Sequence, residues 1–251
     1  MIHFHEFWMF ALSFLGLWFS MLAGGLLAKW RRSRSDGERE DLDMIKGSSL
    51  TILGLIIAFT FSMAVSRYDM RKIYEEEEAN AIGTEYLRFD LLPAGGSSRL
   101  RPLLVEYLRQ RILFYTTVDD QQLGIIGTET VKLQNEMWSA TQSAAQEQPN
   151  PNTWLAIAGM NDVLNRQAYT QSAFWNRIPT GAWALMISHA VCCSILIGYS
   201  AHERRTLWLP ILPFLVAIAF LLIADLDHPR RGVILVRPQN LESLYQSLHG
   251  S

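Results

Sequence analysis

Apolar residues along this chain gather in unbroken blocks and do not recur at the 3.6-residue or 2-residue periods of amphipathic helices and strands. The first block, Phe7 to Ala28, carries no charged residue and ends in Lys29, Arg31, Arg32 and Arg34. A helix of that length covers about 33 Å, enough to cross the hydrocarbon core of a bilayer. A cleaved signal peptide would open on basic residues and carry a shorter apolar core, so a retained helix is expected. The second block, Gly47 to Ser66, lies between Lys46 and Arg67, and the third, Ala182 to Ala201, follows Pro179 and Gly181. The fourth, Thr206 to Ala224, stops at Asp225, Asp227 and Pro229. Only His202, Glu203, Arg204 and Arg205 separate the last two blocks, which makes them antiparallel neighbours. Pro210 and Pro213 inside the fourth block predict a kink near its start. Trp30, Trp183 and Trp208 sit at block ends, where interfacial aromatic residues collect.

Between the second and third blocks the pattern turns polar and helical. Residues 67–92 contain no Pro and are dense in helix formers, so the second membrane helix is expected to continue beyond the bilayer until Pro93, Ala94, Gly95 and Gly96 break it. Leu100, Leu104, Leu108, Ile112 and Leu113 mark a second amphipathic helix, and Val131 with Trp138 a third. A loop is expected over Gln146 to Asn152, followed by a helix with Ile157, Met160, Leu164, Ala168 and Trp175 on one face. After the fourth block, Val233 to Val236 is extended and Asn240 caps a last helix whose Leu241, Leu244 and Leu248 share a face. The expected fold is an all-α integral membrane protein with four transmembrane helices and a helical-bundle insert between the second and third. Its divisions are residues 1–66 with a basic linker at 29–46, the insert at 67–178, two more membrane helices at 179–224, and a tail at 225–251 that packs on the insert.

Composition agrees: hydrophobic residues make up 49% of the chain against 18% charged, and their clumping is what lipid selects for. A net charge of −2 gives no reason to expect nucleic acid as a partner. Basic residues are similar in number on the two sides of the membrane. The first span decides the orientation, because no Lys or Arg precedes it while Lys29, Arg31, Arg32 and Arg34 follow. That bias puts both termini and the insert outside the cytoplasm.

Catalytic chemistry leaves no trace. GxSxG, P-loop, dinucleotide and HExxH patterns are all missing, so no enzyme activity and no cofactor are expected. Cys192 and Cys193 are adjacent on a helix, point about 100° apart and serve as small apolar fillers. His3 and His5 are read as solvated, and His189 as an interhelical hydrogen-bonding group. No metal site is expected.

Two features carry a functional expectation. Glu75, Glu76, Glu77 and Glu78 form the densest charge in the chain, and four consecutive residues point all round a helix, so at least one must turn inward or toward another subunit. Thr51, Leu55, Phe59, Ser62 and Ser66 lie along one stripe of the second span, and that stripe continues through Asp69, Ile73, Glu76 and Asn80. A stripe lining an axis would put an apolar ring at Leu55 and Phe59, with acidic groups at Asp69, Glu76 and Glu77 concentrating cations beside it. The same stripe would also arise on any apolar helix.

Ala58 to Asp69, Glu77 to Arg88, and the tail pattern Asp225, Leu226, Asp227, His228, Pro229, Arg230, Arg231, Gly232 resemble a bacterial family described as bestrophin-like. The second span ending in Arg67 and Tyr68, and the large insert after it, are similar to bestrophins, which are pentameric ion channels with a neck of apolar side chains at every fourth position. The resemblance puts that neck at Thr51, Leu55 and Phe59, which precede Arg67 by 16, 12 and 8 residues; Thr51 departs from the apolar pattern. It implies a multi-pass protein of the bacterial inner membrane, surrounded by lipid, self-assembled into a ring, and passing small inorganic ions; the lean to cations comes from the acids at Asp69 and Glu76. The acidic calcium cluster of animal bestrophins has no counterpart here, and the charge bias gives the opposite orientation to theirs. The alternative is a non-conducting protein whose spans anchor an interaction or sensor domain.

Overall fold

The computed structural model describes residues 2–30, 36–201 and 209–249, and side chains from residue 7 onward within those ranges apart from Asp36. His3, His5, the basic residues at 31–35 and the turn from His202 to Arg205 lie outside the described side chains. Among the described residues eight α-helices follow one another: α1 (Ile2–Trp30), α2 (Asp36–Arg88), α3 (Ala94–Thr116), α4 (Asp120–Glu147), α5 (Pro151–Trp175), α6 (Thr180–Ser200), α7 (Ile211–Asp227) and α8 (Gln239–His249), with a 3₁₀ turn at Phe89–Leu91. No strand occurs among the described residues. Among the described residues three stretches are long and apolar enough to cross a membrane: Phe7–Trp30, Gly37–Leu91 and Pro151–Ser200, the last of which takes in α5 and α6. The fourth expected span begins in residues outside the described ones; its helix, α7, has 17 residues. Pro210 is the N-cap of α7 and Pro213 sits in its first turn, where a missing N–H costs nothing. The expected kink is therefore replaced by a helix start.

The chain forms two compact units. One holds residues 1–67, 177–228 and 232–234, the other 68–176, 229–231 and 235–251. In the first, α1 packs on α6 and α7. The α1–α6 contact is backbone on backbone: a Cβ at Gly24 would lie 2.1 Å from the carbonyl oxygen of Ile195, and one at Gly198 would lie 1.8 Å from that of Met21. Lipid tails are as apolar as leucine, so such close approach is what holds helices together there. Phe214 of α7 adds edge contacts to Phe10 and Phe14 of α1. His189 makes its hydrogen bond, from Nε2 to the Ser49 carbonyl oxygen at 3.0 Å. Cys192 is exposed, Cys193 is buried, and both are free.

The second unit is a bundle of the later part of α2 with α3, α4, α5 and α8 around Ile82, Phe89, Leu104, Tyr107, Leu108, Met137, Met160 and Leu241. The α3 stripe is as expected at Leu100, Leu104 and Leu108. On α4, Val131 is exposed and the buried face runs through Ile126, Leu133, Met137 and Ala140; on α5, Ala168 and Trp175 are exposed and Thr153, Ala156, Val163, Thr170 and Phe174 are buried. Pro151 opens α5, where Asn150 and Thr153 form a capping box, so the proline is a start signal and not part of the loop.

Candidate functional site

On α2 every position of the expected stripe is exposed in the single chain: Thr51, Leu55, Phe59, Ser62, Ser66, Asp69, Ile73, Glu76 and Asn80. Leu55 is 54% and Phe59 66% exposed, whereas Leu53, Thr60 and Ala64 face inward. The Thr51 hydroxyl donates to the Gly47 carbonyl at 3.0 Å, one turn back. Its polarity is spent inside the helix, which reduces its departure from an apolar ring.

The acidic run splits four ways. Glu75 is buried and accepts from the backbone N–H groups of Asn240 (2.9 Å) and Leu241 (3.0 Å) and from the Asn240 side chain (2.6 Å). It thus caps α8 from another helix, and Asn240, expected as the cap, is a donor instead. Burial pushes the Glu75 carboxyl up, against the pull of these hydrogen bonds. Glu77 is half-buried and paired with Arg166 at 2.6 Å. Glu78 is buried against Arg111 and accepts from Thr170 (3.0 Å) and Tyr115 (3.3 Å). Only Glu76 keeps company with Asp69 and Asn80 on the exposed face. Glu77, expected beside Glu76, belongs to an ion pair with α5.

A groove of about 560 Å³ includes Asp69, Glu75 and Glu76, but also Lys72 and Arg237, so its charge is mixed. Arg71, which the sequence suggests as a partner of the glutamate run on a solvated face, is instead fully buried and donates to the carbonyls of Ala173 and Asn176, where α5 ends. A cation at a helix C-terminus meets carbonyls that no further turn satisfies.

The tail pattern also has a physical role. Asp225 accepts from the N–H groups of Val233 (2.8 Å) and Ile234 (2.9 Å). Gly232 stands at φ 131°, and a Cβ there would lie 2.0 Å from an Asp225 carboxylate oxygen, so only glycine fits. Asp227 accepts from the Ile178 N–H at 2.9 Å. Pro229 is buried beyond it. Arg67 reaches Met63 Sδ, and Tyr68 lies under Lys72. Among the described residues no three His, Cys, Asp or Glu side chains gather at metal-binding distance.

A family model for the Bestrophin-like domain matches residues 17–241. No curated protein matches the chain. A substituted form of a bacterial bestrophin homologue from Klebsiella pneumoniae superposes with a TM-score of 0.66 at 12% identity, over 98% of this chain and 99% of its own. Another crystal structure of a Klebsiella pneumoniae bestrophin homologue gives 0.67 at 12% identity, and a crystal structure of a substituted membrane protein gives 0.68 at 10%, each over 97% of both chains. At such identities the likeness speaks for the fold. The family match covers most of the length and the helices are apolar enough to span a bilayer: the chain is a membrane protein and belongs to the bestrophin-like family.

Proposed function

We propose that this chain is one subunit of an oligomeric, bestrophin-like ion channel. Four spans cross the inner membrane, residues 67–178 form the extramembrane insert with the tail from 225 packed on it, and five copies close a ring with α2 nearest the axis. Leu55 and Phe59, with Thr51, form a hydrophobic neck; Ser62, Ser66, Asp69, Glu76 and Asn80 line the wider part. The observation that carries the proposal is that this whole stripe is exposed in the single chain and changes from apolar to polar along its length. A helix whose only neighbour there was lipid would have no use for hydroxyls at Ser62 and Ser66 on the same face as the acids. A ring of Phe and Leu offers an ion no ligand and holds the pathway mostly shut. Asp69 and Glu76 favour cations and Lys72 and Arg237 oppose them, so the preference for cations is weak.

Replacing Leu55 and Phe59 together by Ala tests this in reconstituted vesicles. Ion flux rises about tenfold for each ~1.4 kcal/mol of dewetting barrier removed. A double variant that keeps its oligomer mass yet conducts no more than empty vesicles overturns the channel and leaves the membrane-anchored sensor.

A further inference from the structure

The extramembrane bundle contains a second cavity, a cleft of about 770 Å³ lined by α3, α4, α5 and Arg230, which none of the proposed neck or wide-part residues enters. Arg111 lies in it and is 1% exposed. Its Nε and Nη2 point to Glu78, whose oxygens are also shared by Tyr115 and Thr170. Nη1 finds no acceptor among the described residues. A guanidinium has five N–H donors, and one that lines a cleft with an edge the fold does not use is a site for an acceptor that is not part of the fold. A second cation, Arg230, is held against the faces of Phe114 and Phe174 at 4.3 and 4.6 Å from their centroids. The one carboxylate lining the cleft, Asp120, is exposed and screened by water.

The rest of the wall sets apolar Leu123, Val131 and Trp175 beside the polar side chains of Thr128, Thr130, Gln167 and Gln171. Val131 and Trp175 are large and exposed in a water-facing bundle, and Leu123 lies beside them. Gly124 and Gly127 of α4 keep the space open: a Cβ at either would meet nothing within 4 Å. We propose that this cleft binds a small organic carboxylate, its charged end on the Arg111 guanidinium edge and its apolar body against Leu123, Val131 and Trp175. The flat fork of a guanidinium matches the two oxygens of a carboxylate. An inorganic anion would leave the apolar wall wet, whereas mixed linings of this kind suit a ligand with one polar end.

Sodium benzoate is the probe, titrated by calorimetry into the full chain in mild detergent with sodium chloride at equal ionic strength as the control. Saturable heat is expected, with affinity at least about tenfold weaker in Gly127→Leu and in Arg111→Lys. Gly127→Leu fills the cleft, leaves the Glu78 network untouched and strengthens the helix, so it decides the matter if Arg111→Lys does not fold. Absence of saturable heat, equal affinity in folded Gly127→Leu, or displacement of benzoate by sulfate overturns the assignment.

Discussion

Gly198 on α6 and Arg111 on α3 are both buried where helices meet, and they do opposite things. Gly198 removes a side chain so that two backbones touch; Arg111 is among the largest side chains and carries a charge. On the proposed topology the difference follows the solvent, lipid for the first unit and water for the second. In lipid the unassociated helix loses no apolar surface to water, so association depends on dense contact, and the first unit supplies it with Gly24 and Gly198. In water the bundle has a hydrophobic core to drive it together, and that core can hold paired ions such as Glu78 with Arg111, or a carboxylate such as Glu75 that caps a helix.

The sharpest way to break this contrast is at Gly198. Even Ala there would put a Cβ 1.8 Å from a backbone oxygen that no rotamer change can move, so Gly198→Ala should abolish the monodisperse detergent-solubilised protein. Gly25 is the control, since a Cβ there meets its nearest atom, the Gly198 oxygen, at an ordinary 3.6 Å. Gly25→Ala should elute and melt like the native protein. Equal behaviour of the two variants on size-exclusion chromatography would show that the close approach is not what holds α1 to α6.

This contrast was half legible in the sequence. Charge-free blocks located α1, the apolar part of α2, and α6, and the leucine spacing located α3, because hydrophobic patterning is a local signal. The face of α5 was misjudged because Thr153 and Thr170 are buried where polarity argued for exposure, while Trp175 is exposed where size argued for burial. Among the four glutamates, the need for at least one to turn inward was deducible, but which ones do so depends on partners at positions 111, 166, 170 and 240, far away in the chain. The stripe from Thr51 to Asn80 could be drawn from spacing alone; its exposure along the whole helix could not.

A smaller effect is expected in the bundle. Arg111→Met leaves Glu78 buried with only hydroxyl partners and should cost about 3–5 kcal/mol. Adding Glu78→Leu removes the stranded charge and should restore most of the loss, which denaturant unfolding of the two variants measures. If the double variant is no more stable than the single one, the pair is holding more than itself, and the idea that the water-facing core merely tolerates ions is wrong.

The last expected effect is a pH dependence. Glu85 is 0% exposed, neither of its carboxyl oxygens has a hydrogen-bond partner, and Arg88 approaches only to 3.7 Å, too far for a hydrogen bond. From α5 it meets the backbone of Gly159, where a Cβ would lie 1.9 Å from Oε2. Burial pushes its carboxyl up to about 8, with Arg88 pulling the other way, against an ordinary value of 4.5. Below that ordinary value both folded and unfolded chains are protonated and Glu85 contributes no slope. Between it and about 8 the folded chain keeps a proton that the unfolded chain has lost, so stability falls as pH rises through this window and levels off above it. Glu85→Gln is neutral at every pH and similar in size, so the difference in melting temperature between native protein and variant should grow steadily from about pH 5 to about pH 8 and then stay flat. Parallel melting curves across that range would mean that Glu85 is ionised in the fold, and that the bundle holds a buried charge without hydrogen bonds as readily as one with them.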